Sequence, residues 1–255
     1  MATALITGGT SGIGAAFARA LAARGDDLVL VARNADRLSE AATELKERYA
    51  VNVETIVADL AVRSDVVGIG ERLASVERPI DLLVNNAGFA VRVKLTAADT
   101  TPHEHAIDVM IRAVLMLGAA AGRAMRQRGA GTIINVSSTA GFMAMGNYSA
   151  IKAWVTSYTE GLANELHGTG VKVVALCPGW VRTEFHERAN INVGSIPQVL
   201  WLDADRLVDD CLKDAAAGKV ISIPSKRYKI LITLVDHAPH RARRAISRIM
   251  RPSRH

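Results

Sequence analysis

The feature that most constrains the fold is the regular alternation of two kinds of segment along the 255 residues. Short apolar runs rich in β-branched residues predict six buried strands, at Thr3–Thr7, Asp27–Val31, Val53–Val57, Asp81–Val84, Thr132–Val136 and Val171–Leu176. Longer stretches with helical composition lie between them, at Ile13–Arg24, Asp36–Tyr49, Asp65–Glu77, His103–Arg128 and Ser149–His167, with Asn34 and Ser64 as predicted N-caps. Strands that alternate with helices form a parallel sheet covered on both faces, so we predict one α/β domain with a doubly wound parallel sheet.

A glycine-rich loop, running from Thr7 to Gly14, follows the first predicted strand and opens the first helix. Glycines let the backbone turn tightly and approach a pyrophosphate, which the free N–H groups at a helix N-terminus then stabilise. Such a loop can be an ordinary turn, but here it has the strand, loop and helix context of a dinucleotide site. The sequence therefore predicts a Rossmann fold in which the cofactor contacts Gly8, Thr10, Ser11, Gly12, Ile13 and Gly14.

Tyr148 and Lys152 stand four residues apart, just downstream of the pair Ser137-Ser138. Residues four apart share a helix face, so the Lys152 ammonium would lie against the Tyr148 phenol and favour its deprotonated form. Ser138, at the end of a predicted strand, would hold a substrate oxygen while Tyr148 exchanges its proton with it. The alternative is an exposed helical Tyr–Lys pair beside a serine loop.

Six motifs in order decide between these interpretations, because together they resemble the short-chain dehydrogenase/reductase family from Thr3 to about Thr183. The motifs are Thr7-Gly8-x3-Gly12-Ile13-Gly14, Asp59-Leu60, Asn85-Asn86-Ala87-Gly88, Ser138, Tyr148-x3-Lys152 and Pro178-Gly179-x-Val181-x-Thr183. The resemblance implies catalysis by Ser138, Tyr148 and Lys152, with Lys152 also holding the nicotinamide ribose. It places Asp59 at the adenine and Asn85 near the adenosine ribose, and it makes Asn86 a link between strands. It also assigns Leu60, Ala87, Gly88, Pro178, Gly179, Val181 and Thr183 to the cofactor site, the last four beside the nicotinamide.

The choice of cofactor is predicted from charge about 20 residues beyond the glycine loop, where NAD enzymes of this architecture place an acid. That segment reads Val31-Ala32-Arg33-Asn34, with alanine at the acid position. Arg33 would pair with a 2′-phosphate, with Arg37 and Ser11 as further donors. We therefore expect NADPH/NADP+; a solvent-exposed arginine at a strand end is the alternative.

Two departures from the family pattern affect the expected activity. Met110 occupies the position of a family asparagine that helps place a water in a proton relay, and a thioether cannot replace the amide donors. The relay is thought to use that residue's backbone carbonyl, so activity could be diminished rather than lost, and Met110 could simply fill the core. Ser138 and Tyr148 are also only ten residues apart, which shortens the intervening loop and leaves Ser137 as an alternative contact.

The net charge of +6 is concentrated in the C-terminal segment, where residues 226–255 hold nine Lys or Arg and the single acid Asp236. We predict a catalytic domain over residues 1–225 and a basic extension over 226–255, which has an amphipathic pattern from His240 to Arg251. The extension could contact an anionic membrane, an acyl carrier or the protein body. Nucleic-acid binding is not expected because aromatic residues are few and no such module is recognised.

Other features bear on compartment, substrate and assembly. Two cysteines, the lack of a recognisable leader and the absence of 18 uncharged apolar residues in a row predict a cytoplasmic protein. A small-molecule carbonyl substrate is expected to be apolar or 3-oxoacyl, because residues 185–201 are rich in apolar side chains. No metal site is expected, since His186 has no partners at the spacing of metal ligands. The resemblance implies a homodimer or homotetramer. A low-activity cofactor-binding homologue that binds a partner or membrane remains the alternative function, and alcohol oxidation the alternative direction.

Overall fold

The structure, a computed structural model, describes residues 1–184, 197–239, 241 and 244–245. Its centre is a parallel sheet of seven strands in the order β3-β2-β1-β4-β5-β6-β9. These strands are β1 (Thr3–Thr7), β2 (Asp27–Ala32), β3 (Val53–Val57), β4 (Leu82–Asn85), β5 (Gly131–Val136), β6 (Val171–Leu176) and β9 (Ile221–Ser222). A two-stranded parallel ribbon joins β7 (Trp180–Val181) to β8 (Trp201–Leu202). The predicted doubly wound sheet is confirmed, and the short edge strand β9 is an addition to the six strands predicted.

Helices cover both faces of the sheet, as buried parallel strands require. They are α1 (Gly12–Ala22), α2 (Ala35–Tyr49), α3 (Arg63–Ala74), α4 (Thr101–Ile107), α5 (Ala113–Arg128), α6 (Asn147–Glu165), α7 (Ala204–Ala216) and α8 (Lys226–His237). One buried cluster, around Phe17, Leu28 and Leu38, packs under α1, α2 and α7. The other, around Leu83, Leu117 and Ile133, packs under α3, α5 and α6. Because the strands run parallel, their carboxyl ends all lie along one edge of the sheet.

The two predicted helix caps have different outcomes. Asn34 caps α2, since its side chain accepts a hydrogen bond of 2.8 Å from the Arg37 backbone N–H. The prediction for Ser64 is wrong, because α3 begins at Arg63 with Val62 at the N-cap and without a side-chain cap. The nearby carboxylate of Asp65 instead accepts from the Asp59 backbone N–H at 2.8 Å, which ties the start of α3 to the end of β3.

The long helix predicted from His103 to Arg128 is continuous but changes geometry in its middle. A π-helical turn, Asp108–Arg112, separates α4 from α5. By length and composition, the helix Thr101–Arg128 is long and apolar enough to span a membrane, although no spanning helix was expected from the sequence. Just over half of its apolar window, 56%, is buried within the fold, and it packs against α3 and the sheet. We therefore interpret it as a core helix.

The predicted boundary between residues 225 and 226 stays a prediction, but the first part of the predicted extension is now described. Residues Lys226–His237 form α8, and Tyr228, Ile232 and Val235 on that helix are buried. The amphipathic pattern from His240 to Arg251 lies almost entirely outside the described residues, as do His186 and most of the apolar segment before Trp201. Helix α8 therefore packs against the catalytic body.

Candidate active site

The glycine-rich loop lies between β1 and α1 and has the conformation that close approach of a ligand requires. Gly8 and Gly12 adopt left-handed backbone angles, with φ of +68° and +56°, which residues with a Cβ rarely adopt. A methyl group on Gly14 would overlap the carbonyl oxygen of Gly8. The loop is therefore a backbone cradle at the N-terminus of α1, and its residues fit the pyrophosphate of a dinucleotide.

The strand ends beside this cradle are joined by side-chain hydrogen bonds. The Asn86 amide donates to the carbonyl oxygens of Thr7 and Gly8 at 3.0 and 3.2 Å, which is the linking role expected of it. Asn85 is buried, and its amide donates to the Asn135 side chain at 2.9 Å. A contact between Asn85 and a ribose would use the second amide N–H, the side-chain oxygen or the backbone.

The residues assigned to the adenosine half lie at the ends of β2 and β3. The carboxylate of Asp59 accepts from the Ala61 backbone N–H at 2.9 Å, so Asp59 shapes the turn after β3, while Leu60 is buried in the core. Arg33 follows the last residue of β2 and is exposed, with no ion pair to any residue that the structure describes. Its guanidinium is available to an anionic ligand.

Ser138 and Tyr148 converge although ten residues separate them. Ser138 follows β5 and leads into a 3-10 turn, Thr139–Phe142, while Tyr148 lies in the first turn of α6. The Ser138 hydroxyl acts on the Tyr148 phenol so as to favour the phenolate and lower the pKa of Tyr148. Burial has the larger effect and raises the pKa of Tyr148 to about 12. Tyr148 is therefore held in its protonated form at neutral pH.

Lys152 lies one helical turn beyond Tyr148 and is buried, with 4% of its surface exposed. Its Nζ donates to the Val136 carbonyl oxygen at 2.7 Å and lies 5.7 Å from the centre of the Tyr148 ring. Burial lowers the pKa of Lys152 to about 8. The expected lowering of the Tyr148 pKa by Lys152 is not seen, because burial raises that pKa and the group that lowers it is Ser138.

Ser137, the alternative contact residue, points away from the substrate side. It is 1% exposed, and its Oγ lies 2.7 Å from both the Lys152 carbonyl oxygen and the Thr156 Oγ1. Both partners belong to α6, so Ser137 fastens β5 to the helix that carries Tyr148 and Lys152. The geometry therefore favours Ser138 as the residue facing a substrate.

Met110 lies in the π-helical turn and is 1% exposed. A methyl group on Gly88 would lie 3.0 Å from its sulfur and 3.7 Å from Lys152 Nζ, so thioether and ammonium flank the same glycine. The turn is braced by Arg112, which pairs with Asp108 at 2.6 Å and donates to the Ala61 carbonyl oxygen. Met110 thus fills core space at the position where the family resemblance led us to expect an asparagine.

The segment assigned to the nicotinamide side continues from β6 into β7. The Pro178 carbonyl oxygen accepts from the Thr139 backbone N–H at 2.9 Å, which joins this segment to the residue after Ser138. Thr183 lies against the glycine loop, 3.4 Å from where a Cβ on Gly12 would be. Sequence reasoning missed Tyr228, whose ring stacks directly on Gly179; only its position in an apolar helix pattern could have indicated burial.

The glycine cradle, Ser138, Tyr148 and Lys152 all lie at the carboxyl edge of the parallel sheet, where such sheets bind ligands. This combination defines the nicotinamide-dependent oxidoreductases as a class. No group of three or more His, Cys, Asp or Glu within the described residues is placed to hold a metal ion.

Comparison with known proteins identifies the family. Residues 2–194 match the short chain dehydrogenase family, to which this chain therefore belongs. A solved short-chain dehydrogenase from Sphingobium yanoikuyae in complex with NADPH has a TM-score of 0.84 and 35% identity over 94% of this chain and 97% of that chain. The structure of a bulky-bulky ketone specific alcohol dehydrogenase from Comamonas testosteroni has a TM-score of 0.80 and 30% sequence identity, and the match covers 94% of this chain and 96% of that chain. Galactitol 2-dehydrogenase (L-tagatose-forming) of Cereibacter sphaeroides is 33% identical over 236 residues, 89% of this chain and 90% of that protein.

These findings confirm three of the sequence-based predictions: the family, the Rossmann-type fold and the oxidoreductase class. The NADPH bound by the Sphingobium relative agrees with the predicted cofactor. The roles assigned to individual residues stay predictions.

Proposed function

We propose that this protein is an NADPH-dependent reductase of an apolar ketone or 3-oxoacyl compound. The observation that carries the proposal is the convergence of Tyr148 with Ser138 and with the buried Lys152, whose Nζ lies 5.7 Å from the centre of the Tyr148 ring. A bound nicotinamide would supply the hydride. The chain's own residues would bind the cofactor and move the proton.

In the proposed reaction, Ser138 Oγ donates a hydrogen bond to the carbonyl oxygen and orients the substrate. Tyr148 donates its phenolic proton to that oxygen as negative charge develops there. With a pKa of about 12, Tyr148 carries its proton at neutral pH, as donation in the reduction direction requires. Lys152 would hold the nicotinamide ribose and stabilise the phenolate that remains. Alcohol oxidation, which requires that phenolate at the outset, should be faster at higher pH.

The preference for NADPH rests on Arg33, exposed at the end of β2 where an acid would otherwise contact the ribose. We expect NADPH to exceed NADH by about tenfold or more in kcat/KM. Arg33→Ala should remove most of that preference by weakening NADPH use alone. Arg24→Ala, which removes an exposed arginine beyond the end of α1 at the opposite edge of the sheet, is the matched control. Equal use of the two cofactors by the wild-type enzyme would refute the assignment.

An apolar substrate is supported by the aromatic lining of the β7–β8 ribbon, where Trp180 and Trp201 lie 6.1 Å apart between ring centres. The Comamonas relative is specific for bulky ketones, whereas the Cereibacter relative acts on galactitol, so family membership does not select a substrate. A screen of ketones and 3-oxoacyl compounds of increasing chain length, followed by NADPH absorbance, should show kcat/KM rising with chain length. Absence of turnover across the screen would favour the alternative, a low-activity cofactor-binding homologue, which Met110 also favours.

We further propose a homodimer or homotetramer that pairs through α5 and α6. Leu115 on α5 is 45% exposed, and the stacked rings of Trp154 and Tyr158 on α6 lie 4.9 Å apart. Large apolar side chains that are partly or fully exposed on these two helices indicate an interface. Light scattering after size exclusion should give a multiple of 27.2 kDa, and a monomeric mass at micromolar concentration would contradict the proposal.

For localisation we propose a cytoplasmic enzyme whose basic C-terminal segment can contact anionic lipid. Helix α8 exposes Ile230 and Leu234, at 64% and 67%, close to the cations Lys226 and Lys229. Apolar and basic side chains on one exposed face suit an anionic bilayer surface. Cosedimentation with anionic vesicles at low salt should pellet the full chain and less of a chain lacking residues 240–255. Absence of pelleting would count against the contact, and equal pelleting of the two chains would confine it to α8.

A further inference from the structure

The hydroxyl of Tyr228 bonds two segments that flank the proposed nicotinamide side of the site. It accepts from the Trp180 backbone N–H at 3.1 Å and donates to the Leu200 carbonyl oxygen at 2.8 Å. Trp180 opens β7, and Leu200 immediately precedes β8. One side-chain oxygen therefore links the starts of the two ribbon strands, and both backbone groups would lose this partner without it.

The Tyr228 ring is fixed as firmly as its hydroxyl. Only 5% of the residue is exposed, and a methyl group on Gly179 would overlap the ring, so the ring lies directly against the backbone there. A residue with a side chain at position 179 would displace it. The glycine at this position is thus explained by packing against Tyr228 as well as by any approach of a cofactor.

Helix α8, which carries Tyr228, also contacts the Ser138 side of the site. It packs against the 3-10 turn Thr139–Phe142, and the Arg227 guanidinium donates to the Val199 carbonyl oxygen at 2.8 Å. The Thr139 backbone N–H holds the opposite side of the Pro178–Trp180 segment, through its hydrogen bond to the Pro178 carbonyl oxygen. Pro178 to Trp180 is therefore held between the residue after Ser138 and a tyrosine from the C-terminal helix.

We propose that Tyr228 is a positioning residue that sets the distance of the Pro178–Val181 segment, and of a nicotinamide bound against it, from Ser138 and Tyr148. This inference rests on the proposed function. A shift of about an ångström in such a segment can slow the chemical step substantially. The basic C-terminal region thereby contributes to the catalytic geometry, in addition to any contact with lipid.

The test uses the full-length protein and separates the two halves of the cofactor. In Tyr228→Phe the ring on Gly179 remains while both hydrogen bonds are lost, so the Kd for NADPH should rise about three- to tenfold. The Kd for adenosine 2′,5′-bisphosphate, which lacks the nicotinamide half, should stay within about twofold. The value of kcat should fall about tenfold with less change in the KM for the ketone. A general loss of structure would weaken both ligands alike.

Tyr49→Phe is the matched control, because Tyr49 ends α2 at the opposite edge of the sheet; both ligands should bind to it as to the wild type. Gly179→Ala should displace the Tyr228 ring and reproduce the selective loss of NADPH affinity, which provides a second variant. Unchanged NADPH affinity and kcat in a folded Tyr228→Phe would overturn the inference, as would an equal loss for both ligands. A wild-type protein that binds neither NADPH nor NADH would overturn the proposed function as well.

Discussion

Burial acts on Tyr148 and Lys152 through one physical effect with opposite results, since removal from water disfavours the charged form of each group. The phenol retains its proton, with a pKa of about 12, whereas the ammonium loses its proton more readily, with a pKa of about 8. The pair is thus arranged for proton donation by Tyr148. Lys152 can lose its proton within the experimental pH range, and the effect of this deprotonation can be measured.

Affinity for NADPH should fall as the pH rises through about 8. Lys152 is charged below that pH and neutral above it, so its charge-assisted hydrogen bond to the ribose would be present at pH 7 and lost at pH 9.5, which should weaken binding about tenfold. Fluorescence titration of NADPH across this range measures the effect. In Lys152→Met the affinity should be lower at pH 7 and should no longer fall with pH. A pH-independent wild type would show that the ammonium does not contribute to binding.

The neighbouring serines should separate stability from catalysis. Ser137→Ala removes a buried hydroxyl with two partners and should lower the free energy of unfolding by about 1–2 kcal/mol. Ser138→Ala should change stability less but reduce kcat about a hundredfold, because the substrate oxygen loses its donor. Urea unfolding and ketone reduction measure the two effects. A larger loss of kcat in Ser137→Ala than in Ser138→Ala would reverse the assignment of the contacting serine.

At the scale of elements, the loop between β1 and α1 is defined by backbone geometry. Gly8 needs a left-handed backbone angle, and Gly14 has no room for a side chain. Both requirements arise from contacts within the protein, so the backbone itself sets the shape of the cradle. Preorganisation of this kind reduces the ordering that binding would otherwise require.

Two glycine substitutions should therefore have opposite effects. Gly14→Ala would force a methyl group into the Gly8 carbonyl oxygen, so it should weaken NADPH binding by about tenfold or more and lower the melting temperature. Gly68→Ala lies within α3 with open space around it and should raise the free energy of unfolding by about 0.5–1 kcal/mol. Thermal unfolding and NADPH titration of both variants provide the comparison. Normal binding by Gly14→Ala would mean that the loop can move aside.

The elements that sequence predicted well have strong local patterns. The strands β1, β3 and β6 have the predicted bounds, because a short β-branched run between turns determines both ends. Ser64 was wrong as a cap because tertiary contacts through Asp65 place the start of α3. The π-helical turn at Met110 could not be predicted, since a single insertion in the hydrogen-bond pattern leaves no periodicity to detect.

At the scale of the whole molecule, sequence predicted the side chains that meet at the carboxyl edge but not the contacts that hold them there. The order of the motifs predicted that Ser138, Tyr148 and Lys152 share one site, and the sheet topology brings them together in space. The contact of Tyr228 with Gly179 spans nearly 50 residues of chain, and no spacing rule indicates it. The distribution of charge predicted a domain boundary between residues 225 and 226, but Tyr228, beyond that boundary, is buried against residues 1–225.

The central claim, that Tyr148 donates the proton during hydride transfer, is tested most directly by ketone reduction with Tyr148→Phe. Removal of the hydroxyl should reduce kcat by at least about a hundredfold, because it removes the proposed proton donor. The Kd for NADPH should stay within about twofold of the wild type, since the phenyl ring and Lys152 remain. Turnover close to the wild-type rate, with NADPH bound normally, would contradict the claim.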